Sequence, residues 1–430
     1  MDIVSETQVK VKQIAKRLIN KRNLGLSKPL KKLVLEMSFG ILLTGSCTLN
    51  EIARRLGEET KLKHTLKRFY NMLGHGDKVL EYCNRVCLEE MSVFLNDQTV
   101  LALDGGDIVH VYGRKFENMT MVRDGSKKEL QSGYWLNQVS GYDPVSKESF
   151  PLLLDIYSTK ENRFISANDE SISMIKRVRE VSAAKVLWVL DRGYDGEPIL
   201  KYLLSAKEDF MLRMTDKRNL LLRGKAVNIE ALAKGINRRN KYGDHARYGS
   251  KKVKIKLGYW EYEVTLVVLK NKYSQEPIIF LTNGWVKSSK ELKRRIRGYF
   301  YRWGVEESYR FEKQSFGIEK STVRNYDRIK SLIGLSLFAW LLLVKAKQNG
   351  KVNEVLLKQA KPEKTKKRNS RSSSIIAWLR ECKTFSVQLP GCLCSERKEA
   401  TKKGAQKNYA SLRGCFFPTK SAMNCSCLKR

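Results

Sequence analysis

Two aspartates and one helical stripe carry the chemistry this sequence can do. Asp104 closes the apolar run TVLALD (99–104), and Asp191 closes KVLWVLD (185–191) and opens DRGYDG. Sites in open α/β sheets lie outside the carboxyl ends of strands, so both stand where reactive groups collect. Taken singly, each could equally start a turn or cap a helix. The third element is the stretch from about Ser288 to Ser315, where Tyr299, Arg302, Glu306 and Lys313 fall at offsets of 0, 3, 7 and 14. At about 100° per residue they share an arc of roughly 60°. One stripe then carries an aromatic, two cations and a carboxylate. Glu307 points about 100° away on that register and is not the expected ligand.

Three converging carboxylates raise one another's pKa unless a cation compensates. Hard oxygen donors suit Mg²⁺ or Mn²⁺, and two such ions are the usual arrangement for phosphodiester cleavage. One would activate water or a 3′-hydroxyl and the other would stabilise the leaving oxygen. Arg302 and Lys313 would clamp DNA phosphates, Arg by its bidentate fork. The histidines (His64, His75, His110 and His245) are too scattered for a zinc hydrolase or a histidine base. Asp107 and Asp195, near the site in sequence, are expected to be structural.

On these residues the chain resembles a DDE transposase of the insertion-sequence-four family. YFYRWGVEESYRFEK matches that family's Tyr-x2-Arg-x3-Glu-x6-Lys signature in residue type and spacing. LALDGGD (101–107) resembles its first Asp motif and DRGYD (191–195) its second. Gly106 stands where the first motif often has Thr or Ser. The resemblance covers about 45–345. It implies a ribonuclease-H-like core, metal binding by Asp104, Asp191 and Glu306, and a hold on transposon-end DNA by Tyr299, Arg302 and Lys313.

The elements that must position these groups follow from periodicity. Residues 1–96 read as helices, with apolar residues at spacings of three and four. Within them TLNEIARRLGEETKLKHTLKRFYNML (48–73) reads as two short helices turning near Gly57, with Thr48 and Glu51 as a capping box. Arg54, Arg55, Lys67 and Arg68, with Lys61 and Lys63, give this pair the charge of a DNA-reading helix-turn-helix; a plain hairpin with a solvated basic face is the alternative. From 97 to 345, strands at 99–104, 134–143 and 149–157 come in series, and the strand at 185–191 then alternates with helices at 172–181 and 197–206. This is an α/β fold with a mixed sheet flanked by helices. A β-rich insertion occupies about 208–283. In it, Trp260 and Tyr262 either stack on unpaired bases or pack within a hairpin; Trp188 reads as core.

Residues 346–430 form a basic, Cys-containing tail expected to be disordered. From Lys345 on, 21 Lys and Arg face 5 Asp and Glu. Cys392, Cys394, Cys415, Cys425 and Cys427 do not follow a standard zinc spacing.

Composition narrows the partner. Of 430 residues, 82 are Lys or Arg against 45 Asp or Glu, a formal charge of +37. Such a charge calls for a polyanion, with nucleic acid the default and no membrane expected. The apolar run Ser331 to Val344 has 14 residues, short of the ~17–25 of a span, and no signal-peptide pattern opens the chain. The expectation is a cytoplasmic, nucleoid-associated transposase that binds its element's terminal inverted repeats and target DNA, as a homodimer or larger assembly on DNA. A catalytically silent DNA-binding relative (a repressor or domesticated copy) and a nuclease without strand transfer are the competing readings.

Overall fold

The computed structural model describes residues 3–21, 24–110, 115–123 and 129–350, with the side chains of 3–6 and 303–315 outside the description. The basic tail with its six cysteines therefore lies outside the described residues. Five helices come first: α1 (Ile3–Asn20), α2 (Lys28–Thr44), α3 (Leu49–Leu56), α4 (Leu62–Leu73) and α5 (Gly76–Met91). Gly57, at φ 59°, turns the chain between α3 and α4 as the sequence suggests. Thr48 does sit at the N-cap of α3, but its side chain makes no capping bond, so the expected capping box does not form. The hydroxyl of neighbouring Ser46 instead accepts from the Thr48 backbone N–H.

The sheet begins with β1 (Val100–Val109), β2 (Thr120–Arg123), β3 (Leu130–Asp143) and β4 (Glu148–Tyr157). Helix α6 (Ala167–Val181) then leads to β5 (Leu187–Leu190), and α7 (Glu197–Ser205) leads to β6 (Asp209–Arg213). Strands β1, β5 and β6 are parallel neighbours, while β3 pairs antiparallel with both β1 and β4. The order β4-β3-β1-β5-β6 is a ribonuclease-H-like mixed sheet, with α6 and α7 as its crossovers. β6 is thus a core strand, and the insertion starts only after it. Its apolar run, FMLRM, looks the same in either place.

The insertion comprises β7 (Asn219–Leu222), β8 (Lys225–Asn228), α8 (Ile229–Lys234), β9 (Asn240–Tyr242), β10 (Ala246–Leu257), β11 (Trp260–Asn271) and β12 (Ile278–Asn283). Through β12, antiparallel to β6, it extends the same sheet.

Helix α9 (Ser289–Ser315) crosses one face of the sheet and α10 (Tyr326–Gln348) runs against α5 and β4 behind it. Period-two alternation sorts the strands between two cores. Val100, Ala102, Leu187, Val189 and Met211 meet Leu292, Ile296 and Tyr299 of α9. Leu101, Leu103, Trp188, Leu190 and Phe210 meet the core made by α6, α7, α5 and α10. Gly298 lets α9 lie down on the strands, because a Cβ there would come within 2.5 Å of Leu187.

The apolar run near 331–344 belongs to the 23-residue α10, longer than its sequence suggests because charged YDRIK also joins it. That length would cross a membrane, yet 94% of its most apolar stretch is buried inside the fold. Lys330 is admitted there by carboxylates, 2.9 Å from Asp77 and 3.0 Å from Glu161.

Candidate active site

Asp104 and Asp191 arrive together by strand geometry. The parallel ladder of β1 and β5 ends at Leu103 opposite Leu190, and each aspartate is the next residue. Both carry the parity of the residues under α9, so both carboxylates turn to that helix. Asp104 is not at a strand end as its sequence implies, because β1 runs on to Val109 against β3. It is the first residue beyond the contact with β5, which gives it the same exposure to the crevice.

Helix α9 meets them with the first half of the predicted stripe. Arg302 lies with Nη1 3.4 Å from Asp104 and Nη2 3.9 Å from Asp191. The Tyr299 hydroxyl donates to Asp191 Oδ1 at 3.2 Å. Burial and then the charge of Asp191 push the Tyr299 phenol up to about 12, against the opposing pull of Arg302. Both residues are buried, so their polar heads face the carboxylates and not open solvent. Glu306 lies about one turn beyond Arg302 on the same helix. The side chains of Glu306, Glu307 and Lys313 lie outside the described residues.

The register of α9 is fixed at its other end. Arg295, buried, donates to Asp209 at 2.7 Å, to Glu291 at 2.9 Å, and to Thr282 and Asn283 at 2.6 Å each. These groups sit where β6 begins and β12 ends, so the grip pins the helix across the strands two turns before Arg302.

Two further groups were not singled out in the sequence. Arg213 ends β6 with the parity of Met211, and its Nη1 is 3.8 Å from Asp191 Oδ1. Its head is more open than that of Arg302, at 26% against 10% side-chain exposure. Tyr194, in DRGYD, turns its hydroxyl to Gly105, where a Cβ would lie 3.3 Å away. Burial and then the charge of Asp104 hold this phenol well above its ordinary value, so it stays a neutral donor. Asp195 takes the structural part expected of it. Its carboxylate, 2% exposed, accepts from Thr215 N–H at 3.0 Å, Thr215 hydroxyl at 2.7 Å and Arg218 Nε at 2.7 Å. That clamp ties the Asp191 turn to the chain leaving β6.

The N-terminal basic residues divide. Arg54 and Lys67 are exposed and Arg55 half-buried. Arg68 is spoken for: it lies 2.6 Å from both Glu36 and Glu58, fastening α4 to α2 and to the turn after α3. Trp188, in β5, is core as expected, with full burial and a bond from its Nε1 to Glu208. Trp260 is 66% exposed beside the β10–β11 turn, while the Tyr262 hydroxyl meets Ser205 at 2.9 Å.

Two carboxylates just beyond the parallel β1–β5 ladder, under a cation-bearing helix, are consistent with what the family match shows. Residues 91–342 match the family described as Transposase DDE domain, more than half of the chain, and the chain belongs to that family. No curated relative matches it. Among solved structures it is similar to a piggyBac transposase synaptic complex with hairpin DNA, at 13% identity over 89% of this chain and 78% of that one, TM-score 0.42. It is also similar to Endonuclease V from Bacillus subtilis (9% identity, 55% of this chain, 82% of that one, TM-score 0.24) and to the NurA nuclease from Sulfolobus solfataricus (12%, 58%, 86%, 0.28). At such identities and scores none of the three speaks for an individual residue here.

Proposed function

We propose that this protein is a transposase of the insertion-sequence-four type, which binds the terminal inverted repeats of its element, cleaves there and joins the freed 3′-hydroxyl to target DNA. The observation that carries the reading is the convergence of Asp104 and Asp191 on Arg302, with Glu306 one turn further along α9. Among the described residues no three His, Cys, Asp or Glu side chains are grouped so as to hold a metal ion. The donors nevertheless fit a divalent ion, since two carboxylates meeting at one guanidinium are hard oxygens already arranged about a positive charge. Asp104, Asp191 and Glu306 would hold Mg²⁺ or Mn²⁺ as a pair of ions, which when bound supply an activated nucleophile and a stabilised leaving oxygen.

The chain's own residues do the rest. Tyr299 orients the Asp191 carboxylate through its hydrogen bond. Arg213, more exposed beside Asp191, offers a planar fork to a backbone phosphate, and Lys313 would add to that hold. Arg302, engaged with Asp104 and Asp191, would join it only where bound metal takes over those two charges. Helices α3 and α4 would present Arg54, Arg55 and Lys67 to the repeats, and two copies would pair the two ends.

The test is a supercoiled plasmid carrying the element's terminal repeats, incubated with the full chain and Mg²⁺ or EDTA, beside D191N and E306Q. Metal-dependent cuts at the repeat ends that vanish in both variants, with end binding kept within a few fold, support the reading. Binding without cuts from the unaltered protein would instead indicate the catalytically silent relative.

A further inference from the structure

Strand β3 carries a buried polar side chain that internal contacts satisfy at only one of its two polar atoms. Gln138 is 1% exposed. Its Nε2 donates to the Ser140 hydroxyl at 2.8 Å, but its Oε1, fully buried, has no hydrogen-bond partner. A carbonyl taken out of water without a donor is costly, and native folds rarely leave one so. Where they do, a missing water, ion or ligand is the usual reason.

Its address suggests which. Gln138 is the cross-strand partner of Asp104 in the β1–β3 ladder, so the two side chains stand as neighbours on one face, Cβ atoms about 4.5–5.5 Å apart. On its other side the partner is Leu154 of β4, which brings no side-chain donor. Along the same face of β1 the flanking positions are Ala102 and Gly106, equally without one. The acceptor therefore sits beside a carboxylate that already receives Arg302, and Gln138 Oε1 still needs a donor of its own. Water attached to a divalent cation is such a donor: Mg²⁺ sheds its waters reluctantly and keeps several when held by carboxylates, and partners of that kind tune how tightly the ion is held.

We infer that Gln138 is a further residue of the acidic centre, its buried side-chain oxygen accepting a hydrogen bond from water of the hydrated cation held by Asp104. This rests on the metal-binding reading proposed above. It makes Gln138 a positioning residue, one that touches neither DNA nor the reacting phosphate.

The test is Mn²⁺ binding to the full-length protein without DNA, followed by electron paramagnetic resonance and by calorimetry, for the unaltered chain, Q138M, Q138E and D191N. Methionine keeps the length and removes the acceptor. Q138M is expected to fold, to melt in EDTA at the same or a higher temperature, and to bind Mn²⁺ 10–100-fold more weakly. Q138E, which restores an acceptor of the same shape, is expected to bind at least as tightly as the unaltered chain. Equal Mn²⁺ affinity in Q138M and the unaltered protein would overturn the inference while leaving the centre intact. Weak binding by Q138E as well would assign the effect to packing and overturn it too. Absence of Mn²⁺ binding by the unaltered chain, matching D191N, would overturn the centre itself and the inference with it.

Discussion

Arg302 reaches Asp104 at 3.4 Å while its second terminal nitrogen stands 3.9 Å from Asp191, so one guanidinium from α9 spans two strands of the sheet. The contact places a positive charge where two carboxylates would otherwise repel each other across a half-buried crevice. Removing it leaves the repulsion uncompensated. In EDTA, R302Q is expected to be less stable by about 1–2 kcal/mol, below the range for a fully buried pair because both aspartates keep some solvent. Mg²⁺ should return most of that loss by taking over the charge. Urea denaturation with and without metal checks it, and an R302Q deficit that Mg²⁺ leaves untouched would make Arg302 a packing residue only.

The basic residues of α3 and α4 separate by environment in the same way. Arg54 and Lys67 are exposed, whereas Arg68 is held between Glu36 and Glu58. Burial would raise the Glu58 carboxyl, but hydrogen bonds from Thr65 and Arg68 outweigh it and keep the group below its ordinary range. R54A and K67A are expected to leave the melting temperature alone and to lower the salt slope of repeat binding by about 1 each. R68A should cost about 1 kcal/mol of stability and leave the slope unchanged. Fluorescence anisotropy across a salt series reads both; an unchanged slope in R54A and K67A would move the DNA face elsewhere.

What the sequence made legible was whatever repeats or stands at a boundary. The stripe Tyr299–Arg302 showed because helical spacing puts them on one face, and Asp104 and Asp191 showed because apolar runs stop at them. Arg213 did not, since a lone arginine inside FMLRM has no spacing partner; its parity with Met211 becomes meaningful only once β6 is known to lie beside β5. The same ignorance assigned β6 to the insertion. Gln138 was hidden for a related reason. In YWLNQVSGYD a glutamine reads as the polar half of an alternating strand, and only the ladder puts it opposite Asp104. The start of α10 was missed because Lys330 looks like a boundary, whereas the partners that let it be buried, Asp77 and Glu161, are far away in sequence.

Asp195 and Arg218 hold the turn that carries Asp191. With three donors on one carboxylate and a further bond from Arg218 Nη2 to the Asp195 carbonyl, the clamp has no slack. D195N keeps the shape but leaves the half-buried Arg218 without its counter-charge. It is expected to lose roughly 2–3 kcal/mol and to slow cleavage well beyond any change in repeat binding, because Asp191 loses its support while the DNA-facing surface does not. A double-mutant cycle with R218A should return a coupling of about 2 kcal/mol. Independent, additive losses would show that the two residues do not act as one clamp.

His110, the residue after β1, contributes to the protein's acid sensitivity. Its ring is 8% exposed, stacks on Phe116 at 4.4 Å and meets the edge of Tyr134 at 6.2 Å. Burial alone pulls its pKa down from the ordinary 6.5 to about 4. The unfolded chain therefore takes up this proton near pH 6.5 and the folded chain only near 4, so between those values the unfolded state binds more protons. Stability contributed by the neutral ring is fully present above pH 6.5 and drains away as the pH falls through the window, by up to about 3 kcal/mol at its lower end. H110F, which keeps an aromatic ring in the stack, should flatten the fall in urea midpoint between pH 6.5 and 4 while matching the unaltered protein at pH 7.5. A variant that loses stability over that window as steeply as the unaltered chain would place the titrating group somewhere other than this ring.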